Sequence, residues 1–127
     1  MSLTIPEWVE LAEDNLRAAE VLIREGHYAI AVSRSYYTMF YLAKAIMLRE
    51  GQTFSKHAGV ISALGKELVA KGRFPKPAHQ SLVRAHEQRM LSDYERPKSF
   101  SREDAEEQLL RAQEFLEVSR TILERKQ

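Results

Sequence analysis

Residues 28–50 read YAIAVSRSYYTMFYLAKAIMLRE, and this is the longest apolar region of the chain. Its apolar side chains would cover nearly all sides of an α-helix, and such a helix is normally surrounded by other elements. Arg34 and Lys44 interrupt the apolar run, so we do not expect it to span a membrane. A chain of 127 residues forms a small bundle, in which we expect a second subunit to be needed to cover this helix on every side. The sequence therefore predicts a homodimer with this helix near the interface.

Capping patterns mark the first and the last of the helices predicted around this stretch. Thr4 and Glu7 form a capping-box pattern at the start of the first helix, and Gly26 ends that helix. Ser101 and Asp104 form the same kind of pattern at the start of the last helix, which carries a regular apolar seam. No segment shows the strict alternation of apolar and polar residues that is typical of a β-strand.

Two further helices are predicted between residues 51 and 97. Ser55 is placed as the cap of one that runs to about Lys71, and the other follows Pro75 and Pro77 and reaches Tyr94. The connections are short, which favours antiparallel neighbours. The sequence therefore predicts an all-α fold: an up-and-down four-helix bundle with an additional short helix, in a single domain over residues 1–127.

The composition narrows the class of protein. Hydrophobic residues make up 44% of the chain and charged residues 29%, a balance typical of a globular protein rather than a disordered one. The chain has no cysteine, which excludes disulfides, thiolate metal ligands and cysteine nucleophiles. No signal-peptide pattern opens the sequence, so the cytoplasm is the expected location. Residues 44–98 carry an excess of Lys and Arg that could attract phosphate groups.

Common catalytic and metal-binding motifs do not fit this sequence. Residues 59–67, GVISALGKE, superficially resemble a phosphate-binding P-loop, but the spacing is one residue too long and Glu67 replaces the hydroxyl that binds the metal. No glutamate is followed three residues later by a histidine, as a di-iron bundle requires. His86 and Glu87 are not followed by the second histidine of a zinc protease. We therefore expect neither a metal nor a cofactor.

Two groups of polar residues stand out on helices that a purely structural bundle would fill with apolar residues. Arg34 and Tyr37 lie three apart in the apolar second helix, where a guanidinium must find an anion or several acceptors. His86, Arg89 and Asp93 follow at intervals of three and four on one face of the fourth helix. These two groups form the candidate site of the protein.

Two interpretations of these groups stay open. In the structural one, Arg34 pairs with Asp93 in the core and Arg89 forms a local ion pair with the same carboxylate. In the functional one, the groups meet in a cleft where Arg34 and Arg89 bind phosphate, and Asp93 orients one of them. Tyr37, or Tyr94 at the end of the fourth helix, then contacts a base or a sugar.

Three segments of the chain together resemble one known family. Their sequences are SRSYYTMFYLAKAIMLREG (residues 33–51), SKHAGVISALGKELVAKG (55–72) and HEQRMLSDYERP (86–97). In this order and on these helices they resemble the HEPN domain family, small helical proteins often encoded beside minimal nucleotidyltransferases. The resemblance covers nearly the whole chain. It implies four main helices plus a short one, usually in a dimer, with a polar cleft near the subunit interface.

The resemblance also bears on activity. Some branches of the family cleave RNA without metal, and this is linked to an arginine, usually followed by a polar residue, with a histidine about five to seven positions downstream. Here Arg89 is followed by apolar Met90, positions 94–96 are Tyr, Glu and Arg, and His86 precedes the arginine. The resemblance therefore implies a branch without that ribonuclease motif, in which Asp93 and Tyr94 stand where the motif would end.

The resulting prediction is a HEPN-like module that binds a nucleotide, a minimal nucleotidyltransferase partner or both, without catalytic activity, as half of a toxin–antitoxin pair. Lys56 and His57, at the start of the third helix, would add to its anion site. One alternative is a metal-independent RNA endonuclease, a toxin, that uses Arg89 with His86 as acid or base. Another is a purely structural or assembly protein, in which replacing Arg34 by methionine is tolerated.

Overall fold

The structure is a computed structural model that describes residues 2–94 and 100–125, with the backbone alone at residues 91–94. The residues in these ranges form helices and no strand, which confirms the all-α prediction. The helices are α1 (Ile5–Arg24), α2 (Tyr28–Arg49), α3 (His57–Leu64), α4 (Lys76–Tyr94) and α5 (Arg102–Glu124), with a π-helical turn (Gly65–Val69) after α3. None of these helices combines the length and the apolarity needed to cross a lipid bilayer.

Both predicted capping boxes are present. The Thr4 hydroxyl accepts a hydrogen bond from the Glu7 backbone N–H at 3.3 Å, and a Glu7 carboxylate oxygen accepts one from the Thr4 N–H at 2.9 Å. Ser101 and Asp104 exchange the same two bonds at 3.1 and 2.9 Å. Each pair satisfies backbone donors that the first turn of a helix leaves unpaired. Gly26 follows α1 with a φ of +85°, a conformation that favours glycine.

Contacts between α1 and α2 show that these helices run in opposite directions. Trp8, early in α1, stacks on Tyr41, late in α2, with ring centroids 5.5 Å apart. Asn15, further along α1, contacts Arg34, which lies earlier in α2. Residues later in α1 therefore contact residues earlier in α2. The two helices form an antiparallel pair, which the short link at residues 25–27 joins.

The two later main helices continue the alternation of direction. Arg73, just before α4, pairs with Glu50, just after α2, at 2.9 Å. His86, late in α4, contacts Tyr36 in the middle of α2, so α2 and α4 are antiparallel. α5 runs parallel to α2, because the first turns of both helices pack in one cluster and Arg49 at the end of α2 bonds to the end of α5. The main helices α1, α2, α4 and α5 therefore form the predicted up-and-down bundle.

α2 is the helix at the centre of the core. It packs against α1, α3, α4 and α5, and most of its residues are buried. The largest fully buried side chains of the protein include those of Tyr36, Phe115, Met39, Leu42, Ile46, Met47, Leu64, Leu68 and Leu82. Helices of the same chain thus already cover most of α2, although Ile30 in its first turn is 54% exposed, so the burial of α2 does not by itself require a second subunit. The homodimer itself stays a prediction.

The third helical segment differs from its prediction. Lys56, not Ser55, is the N-cap of α3, and its side chain makes no capping hydrogen bond. α3 ends at Leu64, where a single helix to about Lys71 was predicted, and the π-helical turn follows. Residues 59–67, which superficially resemble a P-loop, lie in α3 and this turn, so their helical context is as predicted.

A side chain from α4 accompanies the change from α3 to the π-helical turn. Nε2 of His79 lies 2.9 Å from the Ile61 carbonyl oxygen. A Cβ on Gly65 would lie 2.9 Å from Cε1 of the same ring, which is closer than real Cβ contacts come. Glycine at this position therefore admits the His79 ring against the helix. Because the contact joins two helices, periodicity within one helix does not predict it.

Candidate functional site

Tyr36, near the middle of α2, brings together two histidines from other helices. Its hydroxyl lies 2.7 Å from Nδ1 of His57, at the start of α3, and 3.3 Å from Nδ1 of His86 on α4. The Tyr36 side chain is fully buried, whereas both histidines are half-buried. A hydroxyl has one proton to donate, so it serves one ring as donor and the other as acceptor. We call these three residues the tyrosine–histidine cluster.

Burial and positive charge set the protonation of this cluster. The His57 ring stacks on Phe40 with centroids 3.9 Å apart and 10° between the planes. Burial, followed by the nearby charge of Arg89, lowers the pKa of His57 and of His86 below the usual value of 6.5. Burial also raises the pKa of Tyr36, so its hydroxyl stays protonated. Near neutral pH the cluster therefore holds two neutral imidazoles and a neutral phenol.

Arg34 of α2 and Arg89 of α4 meet at the ring of Tyr37. Cζ of Arg34 lies 4.7 Å from the Tyr37 ring centroid, and Cζ of Arg89 lies 5.0 Å from it. Arg89 also lies 5.8 Å from the ring centroid of Tyr36, which joins the arginines to the tyrosine–histidine cluster. The two polar groups predicted on separate helices are thus brought together. We call Arg34, Tyr37 and Arg89 the arginine–tyrosine site.

A neutral side chain of α1 holds Arg34 in place. Nη1 of Arg34 donates to Oδ1 of Asn15 at 2.9 Å, and Nδ2 of Asn15 donates to the Leu11 carbonyl oxygen at 2.9 Å. Among the side chains that the structure describes, no carboxylate forms an ion pair with Arg34. An amide acceptor orients a guanidinium without neutralising its positive charge.

Helical spacing explains why these side chains converge. Arg34 and Tyr37 are three residues apart on α2, and His86 and Arg89 are three apart on α4, so each pair projects from one side of its helix. α2 and α4 are neighbours in the bundle. The sides that carry the two pairs face each other, and the start of α3 brings His57 to the same place.

Not every predicted site residue is placed in this arrangement. Lys56 is exposed at the N-cap of α3, and its side chain makes no capping bond. The side chains of Asp93 and Tyr94 lie outside the described residues. The pairing of Arg34 with Asp93, and the contact of Tyr94 with a ligand, therefore stay predictions.

Sequence reasoning did not single out Tyr36 or Asn15 as part of the site. Asn15 had a local signal, since it is a polar residue at a stripe position of α1 and is only 8% exposed. Tyr36 had no local signal, because its histidine partners lie 21 and 50 residues away in the sequence. Only the packing of three helices reveals its position between the two rings.

The arrangement offers positive charge, hydrogen-bond donors and neutral imidazoles. Two guanidinium groups can bind phosphate oxygens through paired N–H donors. A neutral imidazole can take up a proton from a reacting group near neutral pH. In residues 2–90 and 100–125, no three carboxylate or imidazole side chains are grouped as metal ligands. The geometry is typical of an anion-binding site that lies beside proton acceptors.

Fold and site together define a class of protein: a small all-α bundle in which one arginine of α2 and one of α4 lie beside the same tyrosine ring. The HEPN domain family matches residues 5–122 of the chain, and the chain belongs to this family. The match spans every helix from α1 almost to the end of α5. The resemblance found in the three sequence segments is therefore confirmed.

Several relatives are similar over most of their length. A UPF0332 protein of Gloeobacter violaceus is 36% identical, over 91% of this chain and 92% of the relative. A UPF0332 protein of Thermotoga maritima is 32% identical, over 94% and 91%. A protein of Methanocaldococcus jannaschii that bears the name "Putative toxin" is 34% identical, over 86% and 81%. The similarity thus covers the whole bundle and not one motif.

Proposed function

We propose that this HEPN-domain protein binds the phosphate group of a nucleotide or of RNA at the arginine–tyrosine site, without cleaving it. The observation that carries the proposal is the position of two guanidinium groups, from Arg34 and Arg89, at 4.7 and 5.0 Å from the Tyr37 ring centroid. Two like charges beside one ring repel each other, and a phosphate bound by both would offset that repulsion.

Other residues of the proposed site would contact the rest of the ligand. The half-buried ring of Tyr37 supplies an aromatic surface for a base or a sugar. Asp93 is proposed to orient one arginine, and Tyr94 to contact the ligand beside Tyr37. Lys56 and His57 are proposed to add to the anion site at the start of α3, Lys56 through its positive charge and His57 as a neutral group that can form a hydrogen bond.

Calorimetric titration with ATP, ADP and a short RNA tests this proposal. Replacing Arg34 by methionine should weaken binding about tenfold or more, because hydrogen bonds to charged groups contribute about 1.5–3 kcal/mol. Arg17→Met is the matched control, since Arg17 is exposed and pairs with Asp14 on the surface of α1. The proposal is wrong if none of the three ligands binds, or if both variants lose the same affinity.

We also propose that the protein is one half of a toxin–antitoxin pair, acts as a homodimer, and binds a minimal nucleotidyltransferase. Support comes from membership of the family and from the relative that bears the name of a toxin. Expressed alone, the chain should slow growth, and co-expression of a nucleotidyltransferase encoded beside it should restore growth.

Light scattering should give twice the 14.7 kDa of one chain. Normal growth and a monomeric mass would contradict both parts.

The tyrosine–histidine cluster favours a second candidate function, metal-independent cleavage of RNA. A neutral His86 beside Arg89 has the properties of a base that removes the proton from a ribose 2′-hydroxyl, and Arg89 of a cation that stabilises the charged phosphorus centre. Cleavage should then persist in EDTA and be abolished by His86→Ala and by Arg89→Ala. Activity that survives in both variants would identify a contaminating nuclease.

A further inference from the structure

The protein has a cavity that contains none of the residues of the arginine–tyrosine site. It is a cavity of about 330 Å³ where the end of α2 meets the N-terminal segment and the connection before α3. Its lining includes Leu3, Trp8, Lys44, Met47, Phe54 and Val60. This volume lies at the lower end of the range that is usual for sites of small organic molecules, roughly 300–1,000 Å³.

The floor of the cavity is apolar and rigidly packed. Met47 of α2 and Val60 of α3 are each only 1% exposed, so their side chains belong to the core. Phe54 forms part of the wall, and a Cβ on Gly59 would lie 3.3 Å from its Cδ1, so glycine lets this ring pack closely on α3. The polar groups of Gln52 and Thr53 line the same cavity. Apolar floors with few polar groups are typical of ligand sites.

Lys44 gives this cavity a positive charge. Its Nζ lies 4.7 Å from the ring centroid of Trp8 and 5.7 Å from that of Phe40, and the side chain is half-buried. In the part of the chain whose side chains are described, no carboxylate lies within ion-pair distance of Lys44. Aromatic faces attract an ammonium group but do not neutralise it. A half-buried cation that borders an apolar cavity is suited to pairing with an anion.

We propose that this cavity binds a small organic anion, whose ring or short hydrocarbon chain packs on the half-buried Leu3 and Phe54 and whose carboxylate or phosphate pairs with Lys44. This site differs from the proposed phosphate-binding site, because its ligand needs an apolar part as well as one anionic group. The volume is large enough for an aromatic ring, since apolar cavities of about 150 Å³ already bind benzene.

The cavity is connected to the tyrosine–histidine cluster through one aromatic ring. Phe40 contacts Lys44 on one side and stacks on His57 with centroids 3.9 Å apart. The charge of Lys44 contributes to the lowered pKa of His57, after burial, Arg89 and His86. An anion paired with Lys44 would offset that charge, so its binding should raise the pKa of His57.

Trp8 is the only tryptophan of the chain and lines the cavity, so its fluorescence reports on occupancy. We would titrate the full-length protein with phenylacetate, phenyl phosphate and neutral phenylacetamide. At least one of the two anions should change the Trp8 emission saturably and bind about tenfold more tightly than the amide, a difference of about 1.4 kcal/mol. The better anion identifies the head group. If neither anion gives a saturable change, the proposal is wrong.

Variants of Lys44 separate ion pairing from simple apolar binding. Lys44→Met should abolish the preference for the anion over the amide, and Lys44→Arg should retain it. Lys71→Met is the matched control, because Lys71 is exposed and pairs with Glu67 outside the cavity. NMR titration of the His57 ring should show a higher pKa when the anion is bound. If Lys44→Met still prefers the anion over the amide, the proposal is wrong. This outcome does not depend on whether the arginine–tyrosine site binds phosphate.

Discussion

α2 carries one arginine in its second turn and one at its end, and different partners hold them. Arg49, at the end of α2, donates hydrogen bonds to the backbone carbonyls of Ile122 and Arg125, where α5 ends. Arg34 donates to a side-chain amide, that of Asn15, and lies on an aromatic ring. Carbonyls in the last turn of a helix lack a partner four residues later, and the Ile122 carbonyl otherwise accepts only from the Arg125 N–H among the described residues. Arg49 therefore has a structural role, whereas Arg34 is the arginine that we propose to bind a ligand.

The largest effect that this comparison predicts concerns Arg49. Arg49→Met should lower the free energy of unfolding by about 2 kcal/mol, because two charged hydrogen bonds and a favourable charge at the end of α5 are lost. Chemical denaturation followed by circular dichroism measures this change. Phosphate binding should be unaffected. An unfolding free energy equal to that of the surface variant Arg17→Met would show that the capping of α5 by Arg49 contributes nothing.

A smaller effect is predicted for Arg34. Arg34→Met alone should cost about 1 kcal/mol, because Asn15 is only 8% exposed and loses the partner of its amide oxygen. Arg34→Met combined with Asn15→Leu should recover most of that loss, since both polar partners are removed together. A double-mutant cycle measures the coupling energy between Arg34 and Asn15 in the free energy of unfolding. Nucleotide binding should stay weak in the double variant, as expected if Arg34 serves a ligand.

The opposite outcome for Arg34 would also be informative. If the double variant is as unstable as Arg34→Met alone, Arg34 must stabilise the fold through a partner other than Asn15. The pairing with Asp93 that the sequence suggests would then be the first to test, by Asp93→Asn in the same cycle. Retained ligand binding in these variants would favour the structural interpretation over the functional one.

The smallest predicted effect is a pH dependence of stability that comes from the histidines beside Arg89. The pKa values of His57 and His86 are lowered in the folded chain, so below about pH 6.5 the unfolded chain binds more protons than the folded one. The free energy of unfolding should therefore fall as the pH drops from about 7 to about 5.5. His57→Gln should flatten this slope, and His27→Gln, at an exposed position, should not. Equal slopes in all three proteins would contradict the prediction.

Local signals explain why much of the fold could be predicted from the sequence. The pairs Thr4 with Glu7 and Ser101 with Asp104 act within one helical turn, so their spacing alone locates two helix starts. The end of α3 could not be predicted in this way. It coincides with the contact of His79 with the region around Gly65, which joins two helices and has no signal within either one.

The candidate site shows the same limit. Helical spacing could suggest that Arg34 lies beside Tyr37, as it does, because three residues make nearly one turn. The role of Tyr36 depends on partners from two other helices, and the sequence presents it only as one more aromatic residue in an apolar run. The cavity around Lys44 is likewise formed by segments that are distant in the sequence.

The central position of α2 has a consequence for how the chain is made. α1 and α2 leave the ribosome before α4 and α5, and as adjoining antiparallel helices they can pair at once. The surface of α2 that later packs on Phe115 and Leu116 has no cover until α5 has been synthesised. At about 5–20 residues per second, that interval lasts on the order of several seconds. A chaperone that shields nascent apolar helices would act on this protein in that interval.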